Sequence, residues 1–162
     1  MKTKQNRIKD IRNNHTGNKT RKQTSKMNKT NQTNMAFQRE ITVMFLEMLM
    51  MVKLFHWKTT NYATHQATDE LYTKLNKNVD EFIEILLGKN HSRTNLMKHK
   101  KIRLIDLSDK QMLEKEIKHF KHYLVDLSNH KYIKRMSNTD LLNIRDTILG
   151  DLNQFLYLLS LQ

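Results

Sequence analysis

Beyond residue 35, apolar side chains return every three or four residues, the repeat of a helix with a buried face, in four separate runs. The first, helix A, extends from Ala36 to Thr59. Val43, Leu46, Met50, Leu54 and Trp57 form its stripe, and Phe45, Met48, Leu49, Met51, Val52 and Phe55 widen it over most of the helix. A helix that apolar is expected to be covered on more than one side. Its four methionines between 44 and 51 are read as flexible fillers for helix packing and subunit contacts. Helix B extends from Asn61 to Leu87, with Thr60 or Asn61 as N-cap and Gly88 as its stop. Its core stripe is Leu71, Leu75, Val79, Phe82 and Leu86. Helix C opens at Ser108, with Gln111 in the capping-box position, and repeats Leu113, Ile117, Phe120, Leu124 and Leu127. Helix D opens between Ser137 and Thr139 and carries Ile144, Ile148, Leu152, Phe155 and Leu159, with Gly150 suggesting a close approach.

The connections order these helices. A and B are separated by a sharp break, so they should be antiparallel neighbours, and C and D are also closely joined. Between B and C lie residues 88–107, basic and poorly periodic, enough chain to cross the length of a bundle. Short, long, short is the pattern of a ferritin-like four-helix bundle; an up-and-down bundle with a disordered loop is the other topology compatible with it. The expected fold class is therefore all-α, a ferritin-like four-helix bundle over residues 35–162 with a long B–C crossover. The absence of Pro and the three Gly agree with helices. No Cys is present, so disulfides, thiolate metal sites and cysteine catalysis are excluded.

Charge changes the picture at one end. The formal net charge is +13, and residues 1–34 carry ten Lys or Arg against a single acid, Asp10. The other residues carry 19 basic and 15 acidic groups. The first segment almost lacks large apolar residues, so it is expected to be a disordered basic arm. Lys2, Lys4, Arg7, Lys9, Arg12, Lys19, Arg21, Lys22, Lys26 and Lys29 are its candidate contacts to a nucleic-acid backbone. A solubilising tail or a targeting segment has the same composition. No secretory signal is visible, and the most apolar run, Val43 to Val52, is too short to span a bilayer. An intracellular protein, cytoplasmic or nucleic-acid-associated and with no membrane partner, is expected.

Candidate chemistry concentrates in "FHWKTTNYATHQATDELY", residues 55–72. His65 and Asp69 are four apart on helix B, as are Asp80 and Glu84. At about 100° per residue these four fall within an arc of roughly 100°, beside the core stripe rather than on it. Asp69 and Asp80 stand about 16 Å apart along the axis, too far for one metal. An antiparallel copy of helix B across a two-fold axis would bring Asp80 and Glu84 of one chain opposite His65 and Asp69 of the other. His56, near the end of helix A, is close enough to join them. Imidazole and carboxylate ligands suit iron(II), manganese or zinc.

The order "HW", then "H" and "D" four apart, then "D" eleven beyond and "E" four later, resembles the Dps branch of the ferritin superfamily. The resemblance implies an iron-oxidising centre shared between two-fold related subunits of a homo-oligomer. It implies His56, His65 and Asp69 as metal ligands from one subunit and Asp80 and Glu84 from its neighbour. Trp57 matches a tryptophan beside that site that takes up oxidising equivalents, so it enters as a catalytic candidate. The basic arm resembles Lys-rich tails with which some Dps proteins bind DNA. The shorter form "HWKTTNYATH" looks most like small ferritin-like proteins of phages and large DNA viruses, which adds packaging in a virion to the possible locations. The stretch between the two histidines is shorter than in typical Dps proteins, and the B–C link lacks recognisable Dps features.

Each feature also has a plainer explanation. His56 could cap helix A, His65 with Asp69 could be a surface pair, and Asp80 with Glu84 a solvated face. A rival pair, Glu116 and His119, has the E-x-x-H spacing of di-iron bundles, but helix D has neither His nor Glu and helix B has no such pair. No Gly-rich phosphate loop, H-E-x-x-H pair or nucleophile elbow is present. Two functions are therefore expected: a Dps-like protein that oxidises iron between subunits and associates with nucleic acid, or a non-enzymatic packaging or virion structural protein on the same scaffold.

Overall fold

The computed structural model describes residues 14–93, 95–96, 101–134 and 137–161. Its regular elements are all helical: α1 (Asn14–Lys58), α2 (Tyr62–Asn90), α3 (Lys110–Asp126), a 3-10 turn (Leu127–Asn129), α4 (Lys131–Lys134) and α5 (Thr139–Ser160). No helix is long and apolar enough among the described residues to cross a membrane.

Helix α1 starts at Asn14 instead of Ala36, so the boundary drawn at residue 34 falls inside a continuous helix. Between Gly17 and Ala36 the sequence contains neither Pro nor Gly, so no breaker separates the polar stretch from the apolar one. Residues 1–13, with Lys2, Lys4, Arg7, Lys9 and Arg12, lie outside the described residues.

Three antiparallel contacts build the bundle. α1 and α2 pair across the short turn at residues 59–61, and Asn61 caps α2 by accepting from the Thr64 N–H at 2.9 Å. α2 packs extensively on α5. Lys89 meets Asp140 at 3.0 Å at one end, and Asn78 donates to Asp151 at 2.9 Å in the middle, so the two helices run in opposite directions. α3 packs on α5, and the Arg145 guanidinium of α5 donates to the Leu124 carbonyl of α3 at 3.0 Å. Along the α2–α5 seam, burial pushes the Asp151 carboxyl above the usual carboxylate range, against the pull of Lys74 and Asn78.

The link from α2 to α3 returns along α1. Gln38 donates to Ser92 at 2.8 Å, the Arg103 N–H to Glu47 at 3.2 Å, and Lys58 meets Asp106 at 2.7 Å. The link thus starts beside the first buried turn of α1 and ends beside its last, crossing the length of the bundle. Ile105 and Leu107 anchor it in the core.

Several local expectations change. The core face of α1 is Phe37, Ile41, Phe45, Met48, Val52 and Phe55. The stripe of Val43, Leu46, Met50, Leu54 and Trp57 lies about half a turn round the helix, on the outside. Helix α2 ends at Asn90 and is capped by His91 at φ 46°, not by Gly88. Helix α3 is capped by Asp109, which accepts from the Met112 N–H at 2.9 Å; that bond first, then Ser108, lowers its pKa. Ser108 is one residue further out and bonds the Asp109 side chain.

Gly150 faces open space, with nothing within 4 Å of a Cβ placed there. The close approach expected at that position is absent. Gly150→Ala should therefore raise stability by about 1 kcal/mol, since glycine in an exposed helix interior carries an entropic penalty. Urea unfolding checks this, and a loss of stability would show a contact that the open surface does not contain.

Candidate metal centre at the helix hairpin

The turn between α1 and α2 brings His56 and His65 together. Their rings stack at 3.9 Å between centroids and 26° between planes. Each Nδ1 lies 3.1 Å from the backbone carbonyl of the other histidine. A carbonyl oxygen can only accept, so both Nδ1 atoms carry the proton. In the neutral ring the hydrogen bonds therefore fix the tautomer and leave Nε2 as the free nitrogen, the arrangement that prepares imidazoles as metal ligands.

Local structure explains the pairing. His56 sits in the last turn of α1, where carbonyls lack helical partners. Its own carbonyl gains one from His65 Nδ1. Thr68, fully buried, donates to the carbonyls of Thr64 at 2.8 Å and His65 at 3.0 Å, and its hydroxyl lies 3.4 Å from His56 Nδ1. His56 is buried and His65 half-buried.

Asp69 is the third member. Its Oδ1 lies 3.7 Å from His56 Nε2 and 3.8 Å from the Lys53 ammonium. The carboxylate is 54% exposed and also lines a groove of about 560 Å³ with Tyr62, Gln66, Glu70, Leu158 and Leu161. Lys53 stands 4.7 Å from the Tyr72 ring centroid and 5.8 Å from that of Trp57. The candidate carboxylate thus has a cation beside it and solvent on its other side. Trp57 is 69% exposed and one residue from His56.

Asp80 and Glu84 are exposed on α2, about 16 Å and more along the axis from Asp69. One chain does not bring them to the histidines. Among the described residues, no group of three or more His, Asp or Glu side chains is placed to hold a metal ion. In the rival pair on α3, Glu116 is half-buried and lies 3.7 Å from His119, whose imidazole is 72% exposed. Sequence spacing missed the mutual hydrogen bonds of the two histidines and the position of Lys53. The available signal was two histidines flanking a short turn between helices.

Imidazole ¹⁵N shifts check the tautomers. Both His56 and His65 should show a protonated Nδ1 and a bare Nε2, and Thr68→Val should disturb the His56 signals more than those of His119. Protonated Nε2 atoms on either histidine would remove the basis for a metal at this turn.

No curated protein and no solved structure matches the chain. A family match covers residues 56–159. It starts at His56 and includes His65, Asp69, Asp80 and Glu84, together with α2 to α5. The chain belongs to that family, described as a family of unknown function (DUF5856).

Proposed function

We propose that the protein is a Dps-like, ferritin-fold protein that oxidises iron(II) at a site completed by a second copy of the chain, and that it associates with nucleic acid through its basic N-terminal segment. The observation that carries the proposal is the His56–His65 pair. Two imidazoles, each tied by Nδ1 to the other's carbonyl, turn their Nε2 edges free of those bonds, with an exposed carboxylate 3.7 Å from that of His56. The α1–α2 and α3–α5 pairs, joined by a crossover along α1, agree with a ferritin-like topology.

The outer stripe of α1 supports the second copy. Positions 43, 46, 50, 54 and 57 are symmetric about Met50. Val43, Leu46, Met50 and Leu54 are only partly covered within the chain, and Trp57 is exposed. An antiparallel copy centred on Met50 sets Val43 against the second copy's Trp57 and Leu46 against its Leu54. With His56 and His65 at one height, the same operation brings the second copy's Asp80 to roughly 5 Å from His65, measured along the axis, with its Glu84 one turn further. In this register the second copy's Asp80 joins His56 and His65, while Asp69 stands about 10 Å from that Asp80 and about 16 Å from that copy's Glu84 along the axis.

The residues have distinct tasks in this account. The histidine Nε2 atoms and Asp69 hold iron(II), and the added carboxylate stabilises the oxidised ion. Lys53 must leave Asp69 when the metal arrives. Trp57, close by, can take up an oxidising equivalent. Manganese and zinc fit the same donors, and the oxidation assay separates iron from both. A second reading, a non-enzymatic nucleic-acid-packaging or virion structural protein, is favoured by the +9 of residues 1–34.

Replacing His65 and Asp69 together by Ala should lower peroxide-driven iron(II) oxidation by about 100-fold or more, since loss of a ligand's outer-shell partner alone costs about 10- to 100-fold, while circular dichroism stays helical. Unchanged oxidation would remove the site. Met50→Glu should yield monomers by light scattering and the same loss of oxidation. A monomer that still oxidises iron would contradict the shared centre.

A further inference from the structure

Two apolar side chains of the crossover remain in solvent. Leu104 is 63% exposed and Ile102 38%, although the segment that carries them is held in place. Ile105 and Leu107 anchor it in the core, the Arg103 N–H donates to Glu47 at 3.2 Å, and Lys58 meets Asp106 at 2.7 Å. From Glu47 to Lys58 is about 16 Å along α1, and three residues of fully extended chain reach about 10 Å. Residues 103–106 are therefore stretched along the helix, and the side chains of Glu47, Lys58 and Asp106 supply the remainder. In such a stretch alternate residues share a side. Ile102 and Leu104 thus lie on the side from which Asp106 reaches Lys58, one turn beyond Leu54 of the outer stripe.

The same contacts set the level of Leu104 along α1. One residue of extended chain carries it roughly 3.5 Å beyond Arg103, and Met50 stands about 4.5 Å beyond Glu47. Leu104 is therefore close to the level of Met50, the centre of the stripe. The flank is equally defined. Glu47 and Lys58 lie about 60° and 80° round α1 from Met50 in one direction. Lys53, which meets Asp69 of α2, lies about 60° round in the other.

We infer that the crossover is part of the contact with a second copy of the chain, with Leu104 packing against the second copy's Leu104 across the two-fold axis and Ile102 beside it. An antiparallel pair of helices has its two-fold axis perpendicular to both helices and to the line between them. The operation therefore keeps each flank and inverts each level. It puts both crossovers on one flank of the α1 pair and returns Leu104 to its own level. It also puts the two Glu47 carboxylates on that flank, about 9 Å apart along the axis. Each has the Arg103 guanidinium of its own chain at 3.8 Å, which offsets their repulsion. A foreign partner would not require an exposed leucine at the level of Met50, whereas a second copy does.

This inference rests on the second-copy part of the proposed function, and the variants separate the two. Dissociation of the unaltered full chain is measured by sedimentation equilibrium. Leu104→Glu should raise the dissociation constant by about tenfold or more, the scale of one buried leucine. Val125→Glu, at a position of α3 that is 54% exposed, should leave it within about threefold, as for an isolated surface site. The chain has no Cys, so Leu104→Cys adds a single thiol for a second readout. A bismaleimide with an arm of about 10 Å, the spacing of packed helices, should join two chains of that variant and not two of Val125→Cys. Thermal melts show whether each variant folds, and where Leu104→Glu does not, the cross-linking decides. With the unaltered chain dimeric, an unchanged dissociation constant in Leu104→Glu overturns the crossover contact and leaves the α1 stripe standing. An equal loss in Val125→Glu, or equal cross-linking of the two Cys variants, also overturns it. An unaltered chain that stays monomeric at every concentration overturns the contact and the second-copy reading together.

Discussion

A helix in a four-helix bundle can turn one face to its own core, and α1 has two apolar faces. Phe37, Ile41, Phe45, Met48, Val52 and Phe55 occupy the inner one. Val43, Leu46, Met50, Leu54 and Trp57 occupy the outer one and remain open or half-covered. Apolar area left in water costs free energy in proportion to its size, and covering it stabilises whatever covers it. The crossover takes one flank of α1, where Arg103 and Asp106 meet Glu47 and Lys58. Helix α2 takes the other, where Lys53 meets Asp69 and Tyr72. Between those flanks the stripe is symmetric about Met50, which is the property a two-fold contact requires.

The proposed chemistry depends on the same constraint. The hairpin prepares two imidazoles through their Nδ1 hydrogen bonds to opposite carbonyls. Those bonds also satisfy a helix-end carbonyl, so the local fold and the candidate site share their cause. A chain by itself supplies two nitrogens and one carboxylate at this point, with Asp80 and Glu84 displaced along α2. If α1 closes on α1 of another copy, the outer face is covered and the second copy's Asp80 arrives near the height of the histidines.

Much of the fold was legible because it is written in helical periodicity. The stripes of α2, α3 and α5 read correctly, and the long link between α2 and α3 was visible in its length. The stripe of α1 was misplaced because both faces of that helix are apolar, and periodicity cannot tell which one is inside. The start of α1 was placed too late because low apolar content was taken as loss of helix, whereas polar residues without Gly or Pro continue it. The His91 cap was hidden by a nearby Gly that never leaves the helix. In the candidate site, spacing identified His65 and Asp69 as neighbours on a helix. It could not show that two histidines from different helices would exchange hydrogen bonds, since that depends on the shape of the turn.

The most direct test of the shared centre is complementation between two inactive variants. One carries His65→Ala and Asp69→Ala, the other Asp80→Ala and Glu84→Ala. Mixed after dissociation and reassembly, they form hybrid dimers in which one of the two sites has all its ligands. Iron(II) oxidation by peroxide should return to roughly a quarter of the unaltered rate per chain, the share expected from random pairing. A mixture no more active than either variant alone, with hybrid dimers confirmed by mass, would contradict a centre built from two chains.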